Sequence, residues 1–201
     1  MTTLRDLPVD GFAEALASDA PTPGGGSASA LAGALAAGLV AMVARLTPGE
    51  LDDVAAEGDA LRDELLALVD EDAAAFDAVM ASFRLPKETP GEQAARSEAI
   101  QAAYRGAVDP PLRVCTRSAR ILELALRVAE RGNPNAVSDA GVAALLAGAA
   151  LEGAGLNVRI NLGSIKDEGY RAAQEEQLAV AQARGGALRD ETLAAVQAKL
   201  A

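Results

Sequence analysis

Histidine and tryptophan are both absent from this chain of 201 residues, and Cys115 is its only thiol. Each absence removes a class of chemistry. One cysteine cannot form an internal disulfide, and one thiol without imidazole leaves too few soft ligands for zinc, iron–sulfur or haem sites. No metal site is expected, although oxygen ligation of Mg²⁺ or Ca²⁺ stays open. Without histidine, Ser-His-Asp and Cys-His nucleophilic catalysis are excluded, and proton transfer at neutral pH falls to Asp, Glu, Lys, Tyr or Cys. Aromatics make up only 2% of a chain that is 50% apolar, so its core must be built from Ala, Leu and Val on closely spaced helices. A net charge of −11 argues against nucleic-acid binding, which depends on neutralising phosphates with Lys and Arg.

No basic stretch followed by an apolar run opens the sequence, so a secretory leader is not expected. Residues 20–44 carry no charge and are long enough to span a bilayer, yet they are mostly Ala, Gly and Ser where spanning helices use Leu, Ile, Phe and Val. A buried helix of a soluble, cytoplasmic protein is the expectation, with no membrane partner.

Helical periodicity and its interruptions divide the chain, which is expected to be a single domain over residues 1–201 and all-α. Residues 4–18 read as a short amphipathic helix. A long helix should start at Gly26 or Ser27 and reach about Leu46, with Ser29, Gly33 and Ala37 forming a small-residue face. Residues 51–83 follow helical spacing through Leu61, Leu65, Leu68, Phe76, Val79 and Phe83. A Pro-bounded loop carrying Lys87 precedes a helix through Ala107. Pro110-Pro111 should then kink or interrupt it before a further helix over 112–131. Gly132-Asn133-Pro134 stops that one, with Asn133 or Ser138 able to cap the next. Residues 155–163 could be a brief strand or a distorted helix, and helix is favoured. From Ile165 the pattern is helical with a break expected at Gly185-Gly186.

Several residues stand out against that background. Gly24, Gly25, Gly26 and Ser27 run into a helix, where exposed N–H groups suit an anion or a polar ligand edge; a tight helix start capped by Ser27 is the alternative. Asp72 interrupts an apolar stripe, so it is either satisfied in the interior or lines a cleft, where burial would raise its pKa. Arg113, Arg117, Arg120, Arg127 and Arg131 share a helical face in a segment, 84–131, that carries +3 in an otherwise acidic chain. They are either a cradle for carboxylates or a solvated face paired with acids such as Glu123 and Glu130. Asp139 lies near a helix start, where capping is the ordinary explanation, and Asn133, Asn135, Asn157 and Asn161 could cap turns or meet a heterocycle edge.

Pro-Thr-Pro-Gly-Gly-Gly-Ser-Ala-Ser-Ala at 21–30, Asp72 four residues before Phe76, Leu85-Pro86-Lys87, Gly132-Asn133-Pro134-Asn135 with Ser138-Asp139, and Asn157-Val158 with Asn161 together resemble the cyclodeaminase/cyclohydrolase family along the whole chain. That resemblance implies a bundle of long antiparallel helices, a homodimer with helices packed across its interface, and one-carbon chemistry on a tetrahydrofolate substrate with no cofactor. The length of the chain suits a free-standing methenyltetrahydrofolate cyclohydrolase; formiminotetrahydrofolate cyclodeaminase activity is the alternative, and a folate-binding protein without turnover the rival class. Within that chemistry Asp72 and Asp139 are the expected proton carriers or pterin anchors, with Lys87 as acid or electrostatic aid. Asn133 and Asn161 would orient the heterocycle, the Gly24 to Ser27 turn would contact it by backbone, and Arg113, Arg117 and Arg120 would meet the glutamyl tail.

Overall fold

The computed structural model describes residues 3–201, and among them every regular element is helical. Helices α1 (Val9–Leu16), α2 (Gly25–Arg45), α3 (Asp52–Phe83), α4 (Pro90–Arg131), α5 (Val137–Leu162) and α6 (Glu168–Leu200) are joined by short loops and two 3-10 turns, Leu4–Asp6 and Pro134–Ala136. The N-terminal segment expected as one helix is divided, because Pro8 at the cap of α1 separates it from the first 3-10 turn. Residues 155–163 are helical down to Leu162, as favoured from the sequence.

α2 and α5 pack against each other in the middle, with α3 against α2, α6 against α5, and α4 touching all four. Small side chains make this possible. α2 buries nothing larger than valine, and its Gly33 sits where an added Cβ would lie 3.3 Å from Leu65 of α3 and 3.4 Å from Ser118 of α4. α5 meets α6 through Gly141, Gly148 and Gly155, seven residues apart, which receive Val196, Arg189 and Gln182 in descending order. This is the antiparallel seven-residue register of closely packed helices.

Two expected breaks do not occur. α4 runs unbroken through Pro110 and Pro111. Pro111 cannot donate to the carbonyl of Ala107, and Asn161 of α5 replaces the missing donor with its Nδ2 at 2.7 Å. The helix survives because its orphaned acceptor is satisfied from 54 residues away. Asn161→Leu is expected to destabilise the protein by about 1–3 kcal/mol, the range for leaving a buried acceptor unpaired, with a lower urea midpoint as the readout. α6 likewise continues through Gly185-Gly186, since Gly185 is where Leu151 and Leu122 press against the helix backbone. Its start is later than expected, at Glu168, fixed by Asp167 accepting from the Tyr170 N–H at 3.0 Å.

Candidate functional site

A cleft of about 410 Å³ opens where the start of α2, the C-terminal halves of α3 and α5, and the middle of α4 meet. Its walls include Gly24, Gly25, Gly26, Asp72, Asn157 and Asn161, faced by Phe76, Phe83 and Tyr104. The chain has five aromatic residues, three Phe and two Tyr, and three of them line this cleft. Phe83 and Tyr104 meet edge to face at 6.3 Å between ring centroids. An aromatic-poor chain that concentrates its rings around one carboxylate has a surface suited to a flat heterocycle.

Asp72 enters the cleft from α3, and its carboxylate lies over the first turn of α2. Gly24 caps α2 without a side chain, and the Asp72 carboxylate of the neighbouring helix lies at that positive helix end, where the Ser27 N–H donates to it. Ser27 Oγ is 3.0 Å from Asp72 Oδ2 and 3.0 Å from the Val69 carbonyl, and it has one proton to share between them. When Ser27 donates to Val69, the Asp72 carboxyl must supply the other hydrogen; when Asp72 is ionised, Ser27 donates to it. Burial pushes the Asp72 carboxyl above the ordinary carboxylate range, opposed by hydrogen bonds from the Ser27 hydroxyl and backbone. The arrangement is a proton-accepting group held by a switchable donor at the floor of a partly apolar cleft.

Asn161 keeps its Nδ2 on Ala107, and Asn157 gives its Nδ2 to the Gly153 carbonyl at 2.9 Å, so both amides can offer the cleft their oxygens. Tyr104, Phe83 and Ile160 were not singled out as site residues in the sequence. The scarcity of aromatics was the signal available for the first two; nothing in the local pattern marks Ile160.

The remaining expected site residues lie elsewhere in the chain. Asn133 is committed to structure: its N–H donates to Thr47 Oγ1 at 2.9 Å, its Nδ2 to the Leu46 carbonyl at 3.1 Å, and its Oδ1 accepts from Asn135 at 2.9 Å. It ties down the far end of α2, about 30 Å from Gly25 at the helical rise. Asp139 stands in the first turn of α5, some 27 Å along that helix from Asn157, where an acid complements the helix dipole. Lys87 sits in the exposed loop after α3, its carbonyl accepting from Gln93 at 3.1 Å.

The arginine stripe is a ladder to α3. Arg113 pairs with Glu71 at 2.5 Å, Arg117 with Glu64 at 2.5 Å, Arg120 with Glu57 at 2.6 Å and also with Glu123, and Arg127 with Asp53 at 3.0 Å. Glu57, Glu64 and Glu71 recur every seven residues, as do Arg113, Arg120 and Arg127, so a matching signal lay in the sequence. A wider groove of about 780 Å³ between α4 and α6 is lined by Arg117, Arg120 and Arg184, but Glu64, Glu57 and Glu123 already engage those guanidinium groups. Cys115 is buried with its thiol pushed up to about 12 by desolvation, so it is chemically inert.

The formiminotransferase-cyclodeaminase family model matches residues 8–180. The chain is 41% identical over 201 residues to a methenyltetrahydrofolate cyclohydrolase of Methylorubrum extorquens, an alignment covering 96% of this chain and 97% of that protein. It is 33% identical over 180 residues to the formimidoyltransferase-cyclodeaminase of Gallus gallus, covering 85% of this chain but only 33% of that longer protein. The fold matches the crystal structure of formiminotetrahydrofolate cyclodeaminase from Thermotoga maritima with a TM-score of 0.87 and 27% identity, over 97% of this chain and 98% of that one.

Proposed function

The chain belongs to the formiminotransferase-cyclodeaminase family, and from that premise we propose that it hydrolyses 5,10-methenyltetrahydrofolate to 10-formyltetrahydrofolate in the cytoplasm. The observation that carries the reading is the convergence of Asp72, the Gly24 to Gly26 turn, two amides and three aromatic rings on one cleft. Likeness to the cyclohydrolase over nearly its full length favours hydrolysis over ammonia release, which is the second reading.

The reaction needs one proton carrier. Water adds to the methenyl carbon between N5 and N10, and as its oxygen bonds to that carbon a proton passes to the Asp72 carboxylate. The tetrahedral adduct then breaks its bond to N5, which takes the proton back from Asp72, while the adduct's hydroxyl proton is released to water as its oxygen becomes the carbonyl of the formyl group left on N10. The positive charge of the methenyl group opposes the effect of burial on Asp72, so substrate binding itself favours the ionised, proton-accepting form. In the cyclodeaminase direction the same group would protonate departing ammonia after N10 attacks the formimino carbon. Near-ultraviolet absorbance of the methenyl chromophore separates the readings. Decay faster than the uncatalysed rate supports the hydrolase, growth from the formimino substrate with ammonia release supports the cyclodeaminase, and neither change rejects both.

The same proposal includes a homodimer. By length and composition α2 and the stretch Pro134–Leu162 could cross a membrane, yet more than half of each apolar window is buried in the bundle. What stays exposed is an apolar stripe, with Leu35 on α2 and Val142, Leu145, Leu156 and Ile160 on α5, the last 73% exposed. A second copy covering this stripe would shield it from water. It also supplies the route by which Asp139 could act: antiparallel pairing of α5 with its copy about Ala149 sets position 138 beside position 160, at the cleft. Mixing inactive Asp72→Asn and Asp139→Asn chains under conditions of subunit exchange should then restore part of the activity. No recovery in verified mixed dimers removes Asp139 from the site.

A further inference from the structure

Two prolines inside α4 each withhold a backbone donor, and the two losses fall in different surroundings. Pro110 leaves the carbonyl of Gly106 without its helical partner, and Gly106 is exposed, where water can serve it. Pro111 leaves that of Ala107, which is 6% exposed and forms part of the cleft wall. There the replacement is the Asn161 side chain, with Nδ2 2.7 Å from the Ala107 oxygen. A helix carbonyl opened by proline is thus met by a side chain that itself lines the cleft.

That bond fixes which way round the amide sits. A side-chain amide carries two donors at one end and an acceptor at the other, on nearly the same shape. Turning the Asn161 amide over would set two oxygens face to face at the same 2.7 Å with no hydrogen between them. It would also leave a buried carbonyl unpaired. Asn161 is therefore held with Oδ1 free for the cleft. Asn157, one turn earlier on the same face of α5, is held the same way round by the Gly153 carbonyl at 2.9 Å. The difference lies in what holds them: the Gly153 carbonyl belongs to α5 itself, whereas the Ala107 carbonyl is open to Asn161 because position 111 has no N–H. Any other residue type at 111 would serve Ala107 along α4, and the constraint on the Asn161 amide would relax.

We propose that Pro111 is a positioning residue for the substrate: by opening the Ala107 carbonyl it locks the Asn161 amide with its oxygen toward the cleft. The site then favours a ring edge that presents N–H donors over one that presents lone pairs. The inference rests on the reading of the cleft as a folate site. Pro111 is itself buried and acts only through Asn161. With the Asn157 oxygen and the Asp72 carboxylate nearby, this part of the cleft offers acceptors, which suit the N–H groups of a reduced pterin.

The test compares Pro111→Ala, Asn161→Ala and the double variant with the unaltered chain, reading urea midpoints together with KM and kcat for methenyltetrahydrofolate. Pro111→Ala should hold or raise the midpoint, since alanine suits a helix interior. Asn161→Ala alone orphans the Ala107 carbonyl and should lower the midpoint; with Pro111→Ala the restored N–H serves that carbonyl, and most of the loss should disappear. KM should not recover with it. An increase of about tenfold is expected for Asn161→Ala, the worth of one hydrogen bond to the bound ring, and about fivefold for Pro111→Ala, with kcat changed by less than about threefold. The double variant should show no more than the Asn161→Ala increase, because one substitution acts through the other. Stability regained while KM stays raised is a pattern that a purely structural proline does not produce. If Asn161→Ala is too unstable to assay, the double variant, whose Ala107 carbonyl is served, supplies the comparison with Pro111→Ala. A KM for Pro111→Ala within about twofold of the parent, KM effects that multiply in the double variant, or an equal midpoint loss from Asn161→Ala in both backgrounds would overturn the proposal and leave the folate reading intact. Failure of the unaltered chain to turn over the substrate would instead sink the folate reading, and the positioning role with it.

Discussion

Asp72→Asn is expected to lower kcat by about 10²- to 10⁴-fold, the contribution typical of a positioned acid–base group, while leaving the protein as stable as before or more so at neutral pH. The two halves of the result have one cause. Burial raises the Asp72 pKa, so in the folded protein the ionised form is disfavoured relative to the unfolded chain. The sign follows from proton counts: between the unfolded and the raised folded pKa, the native state holds more protons than the unfolded one, and stability falls as pH rises through that window. Above it the penalty is constant. Asparagine has nearly the same shape, can still accept from Ser27 through its oxygen, and carries no such penalty. Chemical unfolding at pH 7 and single-turnover kinetics on the same preparation check both halves. The acid limb of kcat/KM should lie above the usual aspartate range in the parent and vanish from the residual activity of the variant. Full activity in Asp72→Asn would end the case for this carboxylate.

Gly26→Ala is the second large effect, and it runs against helix propensity. On propensity alone, alanine in the first turn of α2 would favour the helix by up to about 1 kcal/mol. The added methyl group, however, falls on the Asp72 carboxylate, 2.5 Å from its Cγ and closer still to one oxygen. Ser27 and the buried flank of α2 leave the helix little freedom to retreat, so the carboxylate must swing out or the helix start must shift. A loss of about 1–3 kcal/mol, in the range of overpacking, and a fall in kcat of at least 100-fold are expected. Gly25→Ala one residue earlier serves as the comparison, because its methyl group would lie 3.4 Å from the flexible Asn157 amide and cost far less. Urea midpoints and kcat for the pair decide it: similar behaviour of the two variants would mean that the contact between Gly26 and Asp72 does not matter.

What the sequence showed well was periodicity within one helix. α3 was legible from Leu61 to Phe83, and Asp72 was legible as the gap in its stripe, because both depend only on spacing along one element. The two misplaced breaks share a reason: proline and glycine were judged by local preference, whereas Asn161 repairs α4 and the fit of Leu151 and Leu122 accounts for Gly185. Partners in other helices were invisible to local reading. The site divides the same way. Gly24 to Gly26, Asp72 and Asn161 share a cleft because α2, α3 and α5 converge there, while Asn133, in the turn between α4 and α5, holds the far end of α2 and Asp139 lies at the far end of α5. Pairing of the arginines was foreseen only with the near acids Glu123 and Glu130, because their partners on α3 sit forty or more residues earlier.

The alanine, glycine and valine interior of α2 makes its tolerance of change one-sided. Alanine brings no rotamer freedom to lose, so this part of the core is ordered at little side-chain entropy cost. There is also almost nothing to cut away, and the cavity-forming lesions that dominate leucine-rich cores scarcely arise here. Damage comes from growth instead, since one added methylene at Ala34, Ala37 or Ala41 must push a neighbouring backbone aside. Drift along this helix is thereby narrowed to exchanges among its smallest side chains, and a polypeptide free to enlarge almost anywhere on its surface is held to near-fixed volume along its axis.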